Sequence, residues 1–239
     1  MSTTAQWAPD LRLRHVPPRS SPSVVGNAML VCGIAASLLY VMANVLGAIV
    51  WDGYSLKSFT ISELSAIDAP SRPLVPSLML VFALLSFGFG IGVVTVAGRK
   101  RGLRITGWLL VAIGVLNAAG PFVPMHLRGA EPSLTDMMHI VLTGVTSLLL
   151  VLAVWFGRGA FGRGFRVYSL ATLATMLLFG LLAFMDGPRI AANEPTPWVG
   201  LTERICVGAY ILWMFVLSGA LLCTQGARAY EQGEAAKSN

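Results

Sequence analysis

Six long apolar stretches, separated by short polar ones, set the pattern of this 239-residue chain. They run approximately over 25–50, 74–97, 105–123, 134–156, 167–185 and 202–224. Each comes close to or exceeds the roughly 20 residues a helix needs to cross a bilayer. An isolated strand leaves backbone groups unsatisfied in lipid, so every stretch predicts a helix. The expected fold class is an all-α membrane protein, a six-transmembrane-helix bundle spanning 25–225. Residues 1–24 carry Arg12, Arg14, Arg19 and four prolines without apolar periodicity, and predict a disordered arm. The first apolar run is too long for a signal-peptide core and no small-residue cleavage site ends it, so it reads as a retained helix. Residues 226–239 read as a polar tail.

Composition agrees with this pattern. The chain is 55% hydrophobic and only 12% charged, about half the charge of an average soluble domain, and its mean hydropathy is +0.71. The net charge of +6 is no nucleic-acid signal, because the bases cluster in short connections. Arg99, Lys100, Arg101 and Arg104 follow the second stretch, and Arg158, Arg163 and Arg166 follow the fourth. With the N-terminal arginines, Arg228 and Lys237, they outnumber Lys57, Arg72, Arg128, Arg189 and Arg204 on the opposite side. The positive-inside bias therefore predicts both termini in the cytoplasm of a prokaryotic cell, in a multi-pass protein of the plasma membrane. Acidic residues follow the reverse distribution. Asp52, Glu63, Asp68, Glu131, Asp136, Asp186, Glu194 and Glu203 fall on the outer side, with His126 and His139.

Cys32, Cys206 and Cys223 lie within apolar stretches without CxxC spacing, and read as small buried hydrophobes. Gly88 and Gly92 form a small-xxx-small pair suited to close helix packing. No Walker loop, GxSxG elbow or HExxH is present. No acid or histidine sits at mid-bilayer depth, which argues against an ion-coupled pump.

The chemistry-bearing positions gather at the outer ends. Pro121-Phe122-Val123-Pro124-Met125-His126 closes the third stretch, and Ser133-Leu134-Thr135-Asp136-Met137-Met138-His139 opens the fourth. Asp136 and His139 stand three apart on one helix face. With His126 they form a candidate metal or proton-transfer set, to which Glu203 adds a fourth catalytic candidate. Equally, Ser133 to Asp136 is a helix-start signature. Asn44 and Asn117 are buried amides that either bond to neighbouring helices or, with Tyr40, Thr143 and Ser147, line an outward-opening polar cavity. Asp186 and Arg204 are candidates to pair with each other, or for Arg204 to hold an anionic head group. Thr60-Ile61-Ser62-Glu63 fits a capping box opening a short interfacial helix in the first outer loop.

Together, Ser58-Phe59-Thr60-Ile61-Ser62-Glu63-Leu64-Ser65, the Gly114–Gly129 stretch with its Pro-Phe-Val-Pro motif, Met138-His139 and Gly200-Leu201-Thr202-Glu203-Arg204-Ile205 resemble the DUF998 family of six-helix prokaryotic membrane proteins. The resemblance implies the fold and topology, and no established activity. In that family a Ser-Asp type pair often stands where this chain has Ser62-Glu63, and an acid often stands where it has His126. Two functional expectations follow. One is a protein that binds or senses a lipid head group or small ligand at the outer face, with membrane lipids as partners and no nucleic acid. The other is a membrane-embedded hydrolase or transferase acting at the outer leaflet through His126, Asp136, His139 and Glu203. No cofactor is expected under the first. Under the second, a divalent metal would be held by His126, Asp136 and His139.

Overall fold

The computed structural model describes residues 24–131 and 133–237; the arm expected over 1–24 lies almost wholly outside the described residues. Six helices are long and apolar enough to cross a membrane. They are α1 (Val24–Val50), α2 (Val75–Val96), α3 (Arg101–Ala119), α4 (Leu134–Gly157), α5 (Arg163–Met185) and, after the short α6 (Gly187–Ala191), α7 (Val199–Lys237). No strand occurs among the described residues, apart from an isolated bridge between Ile67 and His126.

Several ends depart from the sequence reading, and α3 and α5 begin four residues before their apolar stretches, at Arg101 and Arg163. The helix of the third stretch stops at Ala119, because Gly120-Pro121-Phe122 tightens into a 3₁₀ turn. Proline cannot donate the bond that would continue the α-helix. Asn117 therefore lies in the last turn of α3, nearer the membrane edge than the apolar run suggested. The sixth helix continues through the polar tail to Lys237, since Ala, Gln, Glu and Arg are good helix formers. The capping box at Thr60 opens only a 3₁₀ turn, Ser62–Ser65.

The helices pack side by side in the order α4–α3–α2–α1–α7–α5, which leaves an incomplete ring. Where α2 meets α3, a Cβ on Gly90 would lie 2.6 Å from the backbone nitrogen of Val111. Gly88 and Gly92 face α1 instead, and a Cβ on Gly92 would come within 2.9 Å of Met29. Small residues thus allow backbones to touch where lipid supplies no hydrophobic drive. Cys32 and Cys206 are half-buried, whereas Cys223 is exposed on the helix surface, contrary to the buried site its apolar stretch suggested.

The two halves of the bundle differ in packing. Toward the basic connections, Trp213 is fully buried and donates from Nε1 to Ser169 Oγ at 3.0 Å. Nearby, Thr106 donates to the Ala153 carbonyl at 3.1 Å, and Lys100 reaches the Ala160 carbonyl at 2.7 Å. The buried residues of α4, Ala153, Val154 and Gly157, all belong to this half. Those of α5, Ser169, Thr172, Leu173 and Met176, lie in its first four turns. Toward the other end α4 and α5 are mostly exposed and touch one another sparsely. The ring is open there.

Candidate functional site

Three connections, 51–74, 120–133 and 192–198, cap the open half and are tied by buried polar chemistry. Glu63 has no solvent exposure, and its carboxylate is gripped at both oxygens by Arg128. Nε donates to Oε1 at 2.6 Å and a terminal nitrogen to Oε2 at 2.7 Å. The Thr60 backbone N–H adds a third bond at 2.7 Å and its hydroxyl a fourth at 3.0 Å. Arg128 also donates to Thr196 Oγ1 and to the Ser58 carbonyl, at 3.0 and 3.2 Å, and stacks 4.4 Å from the Phe59 ring centre. A bidentate guanidinium–carboxylate pair reinforced by further hydrogen bonds is the arrangement a buried charge requires.

The start of α7 is clamped to the same loop. Arg204 donates to the carbonyls of Leu56, Phe59 and Gly200 at 2.9, 2.9 and 3.0 Å, and to the Tyr54 hydroxyl. Burial pushes the Tyr54 phenol up to about 12, against the opposing pull of Arg204. It therefore stays protonated and donates to the Thr60 carbonyl at 2.7 Å. Gly200 permits the contact, since a Cβ there would sit 2.3 Å from the Phe59 carbonyl oxygen.

The four catalytic candidates do not gather at one point. His126 and Asp136 meet, with Nδ1 to Oδ2 at 3.0 Å and the His126 N–H to Oδ1 at 2.6 Å. Asp136 is committed to a capping box with Ser133, accepting its N–H at 2.9 Å and its hydroxyl at 2.6 Å. His139 turns elsewhere. Its Nδ1 lies 3.0 Å from the Val123 carbonyl oxygen and its Nε2 3.3 Å from Ser62 Oγ. Among the described residues no three His, Cys, Asp or Glu side chains are placed to hold a metal ion. The His126–Asp136–His139 metal set is therefore not assembled, because the helix cap and the loop claim its members separately. Asp186 sits 3.6 Å from Arg189 rather than against Arg204, whose terminal donors are taken by loop carbonyls and Tyr54.

What does converge is a cavity of about 420 Å³ beneath the cap. Its walls come from α1, α2, α3, α4 and α7, and include Asn44, Asn117, His139 and Glu203. Tyr40, Thr143 and Ser147 also line it, as the cavity reading of the sequence requires. Phe82, Leu142, Leu150, Val207 and Ile211 supply apolar surface. Thr143 and Ser147 line the cavity on α4, which is largely exposed along this half, so the cavity opens sideways past α4, on the side where the ring is incomplete.

The polar groups in this cavity are unequally engaged. Glu203 Oε2 accepts the Ile61 N–H at 2.7 Å. Asn44 donates to the Tyr40 carbonyl of its own helix at 3.1 Å, while its buried Oδ1 has no partner among the described residues. Neither the Asn117 amide nor the Arg72 guanidinium has a hydrogen-bond or ion-pair partner among the described residues, and both line the cavity. Arg72 and Ser62 are lining residues that the sequence reading left out of the site. A shallower apolar groove between α1 and α7 shares Tyr40, Asn44, Ile61 and Ile211 as its wall.

The family model described as "Protein of unknown function (DUF998)" matches residues 34–220. The chain belongs to the DUF998 family. The match to DUF998 reaches all six spans and takes in every cavity-lining residue, as the motifs around Ser62, Pro121 and Glu203 implied. No curated protein and no solved structure matches the chain.

Proposed function

We propose that this DUF998 protein binds a membrane amphiphile from the extracytoplasmic leaflet, holding an anionic head group at Arg72 and apolar chain in the cavity. One observation carries the reading: a largely apolar cavity, open sideways between helices, presents a guanidinium and an amide that no described protein group engages. The Asn44 Oδ1 on the same wall is buried without a partner among the described residues, which costs roughly 1–3 kcal/mol, while the half-buried Arg72 and Asn117 keep their polar groups accessible. A site that leaves them open is matched to a ligand that completes them. Guanidinium favours phosphate or carboxylate, with which it makes paired bonds. The volume of about 420 Å³ falls in the ordinary range for ligand sites. It suits a head group and the upper part of a chain, with the remainder lying in lipid beside Thr143 and Ser147. The outward orientation rests on the basic connections at the opposite end.

Native mass spectrometry of the protein from mild detergent, mixed with equal phosphatidylglycerol and phosphatidylcholine, tests this. One retained phosphatidylglycerol per chain is expected, lost in Arg72→Ala and in the cavity-filling Leu142→Trp. Equal retention of both lipids, or retention insensitive to both substitutions, contradicts it.

A further inference from the structure

We propose that Ser62 and His139 form a nucleophile–base pair that takes an acyl group from a carboxylic ester amphiphile held in the cavity. The inference rests on the binding reading above and assigns it a substrate class.

His139 is anchored at one ring nitrogen. Its Nδ1 lies 3.0 Å from the Val123 carbonyl oxygen, which can only accept. Nδ1 therefore carries the proton in the neutral ring, and Nε2 presents its lone pair to Ser62 Oγ, 3.3 Å away. A hydroxyl facing an imidazole, whose far nitrogen is fixed by a third group, is the arrangement that activates a serine. The backbone carbonyl of Val123 occupies the orienting position, and Pro124 follows it in the 120–133 connection. Among the described residues no other hydrogen bond of the Ser62 hydroxyl competes. Both side chains are half-buried and line the cavity.

A plain fastener between loop and helix is the competing account. The loop is already fastened around Ser62 without this pair. Glu63, next in sequence, is locked to Arg128, the Ile61 N–H is held by Glu203 at 2.7 Å, and the Ile67 N–H by the Met125 carbonyl at 2.8 Å. These bonds hold the 3₁₀ turn rigid and set its first hydroxyl on the cavity surface, as a nucleophile requires.

The step balances within the cavity. As Ser62 Oγ bonds to the ester carbonyl carbon, its proton passes to His139 Nε2. The carbon–oxygen bond to the alcohol breaks, and the alcohol leaves with the proton returned by Nε2. The acyl-serine is then attacked by water or by an acceptor hydroxyl, whose proton again passes to Nε2 and on to Ser62 as the ester bond breaks. The Asn117 amide is an uncommitted donor in the same cavity for the developing oxyanion, and Arg72 holds the anionic head.

A long-chain alkyl fluorophosphonate tests the pair on the full-length protein in detergent, with peptide mapping of the adduct. Labelling at Ser62 is expected, absent in Ser62→Ala and slowed roughly 10²–10⁴-fold in His139→Gln, the range for loss of a general base. Ser62→Ala is expected to unfold in a single cooperative transition by tryptophan fluorescence in detergent, which shows that the unlabelled variant is folded. A wild-type protein that retains the lipid but takes no label at Ser62 overturns the pair and leaves the binding reading standing. Labelling of Ser62 at an unchanged rate in His139→Gln overturns the role of the imidazole.

Discussion

Replacing Arg128 by Met removes the one cation that meets Glu63 among the described residues, and the structure sets the size of the effect. The Glu63 side chain is wholly inaccessible and that of Arg128 only 15% exposed, so water cannot replace the lost partner. Truncating one member of a buried pair costs about 3–5 kcal/mol, because the other charge stays desolvated. An exposed pair is worth only about 0–1 kcal/mol. The same substitution strips Thr196 Oγ1 and the Ser58 carbonyl of a donor, so the loss belongs at the upper end of the range. For a chain of this size 1 kcal/mol moves the midpoint by about 2–4 °C, so a loss of about 5 kcal/mol puts Arg128→Met roughly 10–20 °C below wild type. Tryptophan fluorescence during heating in detergent reads this directly. Glu63→Gln combined with Arg128→Met should recover part of the loss, since a neutral amide still accepts from Thr60. A double-mutant cycle then isolates the coupling. An unchanged midpoint in Arg128→Met, or a coupling no larger than that of a surface pair, would refute the claim that this pair holds the cap together.

Gly200→Ala puts a methyl against the Phe59 and Leu56 carbonyl oxygens, 2.3 and 2.6 Å from an ideal Cβ. It should lower the midpoint clearly and expose the 51–74 connection to protease, while Gly144→Ala, with open space around it, should leave both unchanged. Asn44→Leu removes a buried Oδ1 that has no partner among the described residues and should raise stability by about 1–3 kcal/mol while weakening lipid retention; destabilisation would mean that the amide serves packing. A reporter fused after Lys237 should signal from the cytoplasm, and an extracytoplasmic signal would reverse the orientation of the cavity.

How far the sequence carried depends on which physics each feature obeys. The six spans were legible because lipid forces long apolar runs into helices, and all six appear. Asn44, Asn117, His139 and Glu203 stood out because polar side chains in apolar segments are costly, and all four line the cavity. Asp136 and His126 stood out as a carboxylate and an imidazole close together in the chain but serve a helix start, since a capping box uses the residue types of a catalytic cluster. Ser62 was hidden inside a capping motif, its partner His139 lying 77 residues on. Arg72 looked like any basic residue flanking a span, because nothing local tells a free guanidinium from a paired one. The grip of Arg128 on Glu63 joins loops 65 residues apart, a pairing no helical or turn periodicity encodes. The open side of the ring likewise depends on which helices become neighbours, which the apolar stretches leave undetermined.

The proposed occupant of the cavity under the 51–74 connection is an anionic amphiphile that enters past α4. Photocrosslinking in nanodiscs, with a phosphatidylglycerol carrying a diazirine near the top of one acyl chain, addresses it most directly. Adducts should map to Leu142, Leu150 or Val207 on the cavity wall, and should be suppressed by Arg72→Ala and by excess unlabelled phosphatidylglycerol but not by phosphatidylcholine. Adducts spread over the lipid-facing residues Leu177, Leu181 and Phe184, with none on the cavity wall, would contradict it.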